Sequence, residues 1–215
     1  MSTAAGSTRP DRAAETRQVI MAAAERLFAE HGLSAVSSRQ IAEAAGQRNV
    51  TAVSYHFGSR PGLVRALMAR HGEQVDVLRE RHLRTAAGST DVRDWVDCLV
   101  RPTSEHLAAL GTPSWHARCA AQVMTDPTLR VLVIDEALTR PPLTRTLEGL
   151  HRCLAHLPSQ VLAERGDMAR QLIVHTCAER ERALAEGTAP PHTSWERTAG
   201  SLTDALVGLF TAPVS

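Results

Sequence analysis

Lysine is missing from this 215-residue chain, and its 24 basic residues are all arginine. Contacts to phosphate or to base edges would therefore fall to planar guanidinium forks rather than to ammonium groups. Aromatic residues make up only 3% of the chain, too few for a large aromatic cage. The four cysteines, Cys98, Cys119, Cys153 and Cys177, are widely spaced and form no CxxC pair. This spacing argues against a disulfide framework and is that of small buried hydrophobes. No apolar run follows a basic start, and none reaches membrane-spanning length, so a reduced, cytoplasmic, membrane-free setting is expected. Alternating runs of strand length and internal repeats are also missing.

Catalytic and metal motifs are equally scarce. The segment GSRPG lacks the spacing and the terminal Lys-Ser or Lys-Thr of a phosphate-binding loop. Cys119 follows His116 by three residues, Cys153 sits between His151 and His156, and Cys177 follows His175 by two. None of these pairs has a third group placed to orient a base or to complete a zinc site. The chain is accordingly read as a non-enzyme, with no resident cofactor or metal. A helical dimerisation scaffold and a small Cys-His enzyme are the alternative classes.

With 43% hydrophobic residues, the chain can build one sizeable domain or a small module joined to a larger one. The overall charge of +1 divides unevenly. Residues 1–70 carry nine arginines against five acids, a balance of +4, and the remainder carries −3. An N-terminal module suited to a polyanion is implied. Residues 1–10 read as a mobile arm whose arginine could follow a nucleic-acid groove.

Gly and Pro positions, with apolar residues at helical spacing, predict an all-α chain. The expected helices cover 11–31, 37–45, 51–57, 60–86, 91–110, 114–124, 127–139, 142–157, 159–186 and 195–210. Ser37 and Gln40 have the form of a capping box. Pro61 suits a first helical turn, Pro141 and Pro142 should separate or kink their two helices, and GTAPPHTS is a linker. Three short helices over 11–58 with a basic excess fit a helix-turn-helix module, in which the second paired helix reads a major groove. Residues 59–211 form a larger helical regulatory and dimerisation domain, with 59–86 as the linking helix.

A specific resemblance is carried by Leu27-Phe28, Gly32, Ser37-Ser38-Arg39-Gln40-Ile41-Ala42, Ala45-Gly46, Tyr55-His56-Phe57, Gly58-Ser59-Arg60 and Leu63. This region resembles the DNA-binding domain of the TetR/AcrR family of bacterial transcriptional regulators, closely over residues 16–67. The turn from Gly46 to Thr51 is one residue longer than the common pattern, and Ser54 stands where a tyrosine is usual. The resemblance implies a homodimer on a partly palindromic double-stranded operator, released by a small-molecule effector. It assigns the DNA-reading surface to Ser38, Arg39, Gln47, Arg48, Asn49, Thr51, Ala52, Tyr55 and His56, with a phosphate contact at Arg60. Val53 and Phe57, four apart, are expected to anchor that helix from behind.

Dimerisation is expected on the last two helices, through Val161, Leu162, Leu172, Ile173, Leu202, Leu206, Leu209 and Phe210, with an intramolecular core as the alternative. An effector pocket among the middle helices is expected to use Trp95, Leu99, Leu107, Trp115, Cys119, Met124, Leu132 and His175.

Overall fold

Side-chain caps mark the start of five helices in this chain. The computed structural model describes residues 9–214, among which ten α-helices and no strand are found. The expected N-terminal arm lies outside the described residues except for its last two, which open α1 (Arg9–His31). Helix α2 (Ser38–Ala44) starts at a capping box, with the Gln40 amide donating to Ser37 Oγ at 3.2 Å and the Ser37 amide donating to Gln40 Oε1 at 2.8 Å. Helix α3 (Ala52–Phe57) ends at Gly58, whose φ of 72° favours a residue without a Cβ. Helix α4 (Arg60–Ala86) opens with Ser59 accepting the Gly62 amide at 3.1 Å and with Pro61 in its first turn.

The remaining helices are α5 (Val92–Leu110), α6 (His116–Thr125), α7 (Pro127–Leu138), α8 (Pro141–Cys153), α9 (Ser159–Ala185) and α10 (Trp195–Thr211). Asp91, Asp126 and Ser194 cap α5, α7 and α10 through their side-chain oxygens. Pro141 and Pro142 occupy the first turn of α8, so they separate it from α7 rather than kink it. Helix α6 begins two residues later than expected, because Trp115 takes the N-cap position. Helix α8 stops at Cys153, four residues early, where Leu154 serves as C-cap.

Two apolar cores result. The first joins Ile20, Ala24 and Phe28 of α1 to Ile41 and Val53, to Leu63, Val64 and Leu67 of α4, and to Cys119, Val123 and Leu129 from α6 and α7. The second joins Leu83 to Trp95, Val96, Val100 and Leu107 of α5, Leu150 of α8, Ala169 and Cys177 of α9, and Leu202, Leu206 and Phe210 of α10. Each fully buried large side chain contributes about 1.5–3 kcal/mol through removal from water. The first core extends past residue 58 into α4, α6 and α7, so the helix-turn-helix segment packs directly on the larger part. Helix α4, 27 residues and about 40 Å long, belongs to both cores.

Two buried polar arrangements hold this frame. Pro102 lies inside α5 and cannot donate to the carbonyl of Cys98, four residues earlier. Arg79 Nε from α4 donates to that carbonyl at 3.1 Å, and its guanidinium is paired with Asp76. Glu181 of α9 is almost fully buried and accepts four hydrogen bonds at the start of α6. Its donors are Ser114 Oγ at 2.9 Å, the amides of Ala117 and Arg118 at 3.1 and 2.9 Å, and Arg118 Nε at 3.2 Å. A carboxylate at a helix N-terminus satisfies amides that have no partner within the helix.

Candidate nucleic-acid interface and apolar cavity

The segment between α2 and α3 is an internally bonded turn. The Gln47 amide donates to the Ala42 carbonyl at 2.9 Å, and Gln47 Nε2 reaches the Ala45 carbonyl at 3.1 Å. Asn49 Oδ1 accepts both the Thr51 amide at 2.9 Å and the Thr51 hydroxyl at 2.7 Å, which closes an Asx turn and starts α3. Asn49 therefore shapes the approach to α3 while Arg48 and Val50 on either side face solvent.

Helix α3 is held from behind by Val53, which is buried, and by Phe57, which is half-buried. The Arg17 guanidinium lies 4.2 Å from the Phe57 ring centroid, and Arg17 Nη1 donates to the His56 carbonyl. On the opposite side Tyr55 is 83% exposed, and Ser54 and Thr51 are also exposed. His56 is half-buried with its ring edge-on to Tyr55, 5.1 Å between centroids. A phenol held out from a helix this short contributes nothing to either core. It is an amphipathic group available to phosphate and sugar.

On α2, Ser38 is half-buried at the first turn and Arg39 is exposed. Arg39 pairs with Glu43 at 2.8 Å, a solvent-screened i,i+4 pair. Two expected contacts change place. Ala52 is buried in the first core, because one face of a six-residue helix must carry its packing. Arg60 turns inward to donate to the carbonyls of Leu33 and Val36, with its guanidinium 5.1 Å from the Phe28 ring centroid. Its partial burial lowers its pKa, while the charge of Asp126 acts in the opposite direction.

This geometry coincides with a family match. Residues 20–67 match the model for bacterial regulatory proteins of the tetR family. The chain carries a tetR-family domain.

Among curated relatives, the HTH-type transcriptional repressor AcnR of Corynebacterium glutamicum is 32% identical over 135 residues, 63% of each chain. The HTH-type transcriptional regulator TtgR of Pseudomonas putida is 36% identical over 89 residues, 41% of this chain and 40% of the relative. The chain thus spans less than two thirds of the length of these relatives. Both are regulators by name.

A TetR family transcription regulator from Marinobacter aquaeolei VT8 has a similar fold, with a TM-score of 0.58 at 17% identity over 91% of this chain and 97% of that one. PfmR from Thermus thermophilus, also of the TetR family, gives 0.50 at 17% identity over 98% and 100%. At such identities the likeness is one of fold, and it extends beyond the tetR-family domain to the whole helical arrangement.

Beyond the tetR-family domain lies a cavity of about 390 Å³ bounded by α4, α5, α7, α8, α9 and α10. Its wall is mostly apolar: Leu99, Ile134, Leu138, Leu143, Leu147, Leu150, Leu162, Ile173, Val174 and Phe210. Arg79, Thr103, His151 and Arg170 supply the polar groups. Of the eight residues expected to line an effector pocket, only Leu99 lines this cavity. Trp95 and Leu107 are buried in the second core, with Trp95 Nε1 donating to the Ser89 carbonyl at 3.0 Å. Cys119, Met124 and Leu132 belong to the first core, Trp115 is the half-buried N-cap of α6, and His175 is exposed.

The residues expected at a dimer interface also divide. Leu162, Ile173 and Phe210 face the cavity, and Leu202 and Leu206 are buried against α5 within one chain. Leu209 and Val161 are half-buried, and Leu172 is exposed. Val161, Leu172 and the exposed Met168 fall on one outward stripe of α9. Burial pushes the thiols of Cys177 to about 12 and of Cys98 to about 11, and also raises Cys119 well above its ordinary value, so none of these three is a poised nucleophile.

The junction between the tetR-family domain and the larger part holds a cluster that no local spacing announced. Glu25 of α1, Arg70 and His71 of α4, His106 of α5 and His116 of α6 meet there. Glu25 Oε2 accepts from Arg70 at 3.0 Å, while Oε1 lies 2.7 Å from His71 Nε2 and 3.4 Å from His116 Nδ1. Burial alone would raise the Glu25 carboxyl, but His116 and His71 outweigh it and hold the group well below the usual carboxylate range. Burial lowers His71 and takes His106 to about 4. These residues lie 46, 35 and 10 positions apart in the sequence, so only the tertiary fold brings them together.

Proposed function

We propose that the chain is a homodimeric transcriptional repressor that binds a partly palindromic operator through α3 and leaves it when a small molecule occupies the half-open apolar cavity. The observation that carries this reading is the exposed surface of α3 and the turn before it, where Tyr55 projects from a helix anchored by Val53 and Phe57 and Arg48 projects from the turn. Arg48, Thr51, Tyr55 and His56 are assigned to DNA, with Gln47 and Asn49 shaping the turn and Ser38 and Arg39 flanking it. Arg60, engaged with backbone carbonyls, is assigned to holding the domain. The relative named as a repressor supports the sign of the effect.

The cavity supports the class of effector. An apolar molecule carrying an acceptor or anionic group fits walls of leucine and isoleucine beside the guanidinium groups of Arg79 and Arg170. Arg79 sits on α4, and the other end of α4 contributes Leu63, Val64 and Leu67 to the core beneath α3. A ligand that moves Arg79 would move that helix and change the separation of the two reading helices. Linkage then requires that DNA weaken effector binding by the factor by which effector weakens DNA binding. Self-association is assigned to the outward stripe of Val161, Met168 and Leu172 on α9 and the adjoining face of α10.

Selection of genomic DNA fragments by the purified chain tests the reading. It predicts recovery of a short palindromic sequence at fixed salt. Recovery of unrelated, weakly bound fragments by a folded dimer would instead indicate a helical scaffold.

A further inference from the structure

The cluster at the domain junction has the make-up of a metal site. One ring nitrogen from each of His71, His106 and His116 lies within 4.8 Å of the others. His71 Nδ1 and His106 Nε2 are already 2.8 Å apart, and the rings of His71 and His116 are stacked with 3.7 Å between centroids. Glu25, His71 and His106 are each more than nine-tenths buried. Glu25 Oε1 and His116 Nδ1 are buried without an aligned hydrogen-bond partner among the described residues. Leaving such atoms unsatisfied is costly, and a native core seldom does so without a ligand, ion or water in play. Three imidazoles crowded at this distance satisfy one another poorly and bring together the nitrogen ligands that a borderline-soft cation takes.

We infer that His71, His106 and His116 bind a divalent transition metal of the zinc class. His71 contributes Nδ1 and His106 contributes Nε2, the two atoms that face each other. On His116, Nδ1 is the nitrogen nearer Glu25, which leaves Nε2 for the metal. Glu25 stands behind two of the three ligands, beside His71 Nε2 and His116 Nδ1, where a carboxylate orients metal-bound imidazoles and fixes their tautomers. Arg70 holds the far oxygen of that carboxylate. Zinc at about 2.0–2.1 Å from each nitrogen requires nitrogens about 3.3 Å apart, so His106 withdraws slightly from His71 and the stacked rings splay. The fourth position stays open to water or to an exogenous anion.

Such a metal ties α1 and α4, which carry the tetR-family domain, to α5 and α6. The inference does not depend on operator binding, and its test involves no DNA. The full chain, stripped with chelator and dialysed, is titrated with Co²⁺ and then with Zn²⁺. Expected are the visible absorption of four-coordinate cobalt saturating at one equivalent per chain, its loss on adding zinc, and a higher unfolding temperature with metal. His106→Gln and His116→Gln should each weaken binding about tenfold or more, whereas His175→Gln on exposed α9 should leave it unchanged. X-ray absorption of the zinc-loaded wild-type chain should show imidazole scattering, a readout that does not depend on how the variants fold. The inference is overturned if the native wild-type chain binds neither ion, if binding survives loss of both His106 and His116, or if the bound metal has no imidazole neighbours.

Discussion

Replacing Glu181 with alanine removes the acceptor that holds the start of α6 to α9. The Glu181 side chain is about 1% exposed and that of Arg118 about 11%, so water cannot take over the lost contacts. The amides of Ala117 and Arg118 and the Ser114 hydroxyl lose their acceptor, and Arg118 keeps only the Ser114 carbonyl at 2.8 Å. Breaking a buried ion pair from one side costs about 3–5 kcal/mol, and the orphaned amides fall within that figure because the contacts are not additive. At about 2–4 °C per kcal/mol for a chain of this size, the melting temperature should fall by roughly 6–20 °C. Glu181→Gln keeps the Oε1 bonds in uncharged form but puts an NH2 donor where Oε2 accepted the two Arg118 bonds, and should cost about 1.5–3 kcal/mol. Thermal unfolding followed by far-ultraviolet circular dichroism at matched protein concentration measures both. If Glu181→Ala melts within a degree of the wild type, the buried carboxylate does not anchor α6 and the reasoning fails.

Three further outcomes follow from the packing. Gly149→Ala would drive a Cβ into the Trp95 ring, so this α5–α8 approach should lose about 1–3 kcal/mol through overpacking, read by denaturant titration. Arg60→Ala frees the carbonyls of Leu33 and Val36 and should cost about 1–3 kcal/mol in stability, whereas Arg48→Ala leaves the melting temperature unchanged. With a thiol alkylating agent on the native chain, Cys153 should react first, because it alone among the four cysteines is not buried. Mass spectrometry should find Cys98, Cys119 and Cys177 unmodified until the chain unfolds.

The helix limits were legible because they are local. Ser37 with Gln40, Ser59 with Pro61, and the glycines at 32, 46 and 58 each act within a few residues, and the structure uses them as expected. The same logic placed Val53 and Phe57 behind α3 and left Tyr55 outside. The phosphate contact that the resemblance implied for Arg60 was not legible in this way, since a side chain long enough to meet phosphate is also long enough to reach the carbonyls of Leu33 and Val36. Cavity and core residues were confused because leucines on helices flanked on several sides carry no mark of which neighbour they face. Phe210 and Leu162 line the cavity, while Leu107 and Trp95 do not. Arg79 serving the carbonyl freed by Pro102, and three histidines converging on Glu25, depend wholly on how distant helices pack.

The account rests on α3 as the surface that reads DNA, and affinity for the selected palindrome measures this directly. At one fixed salt concentration, the wild-type chain and an Arg48→Ala, Tyr55→Ala double variant are titrated onto that sequence and onto a scrambled duplex. The account predicts that the double variant melts like the wild type yet binds the palindrome about tenfold or more weakly, approaching its affinity for the scrambled duplex. Equal affinity of the two folded proteins for the palindrome would contradict it.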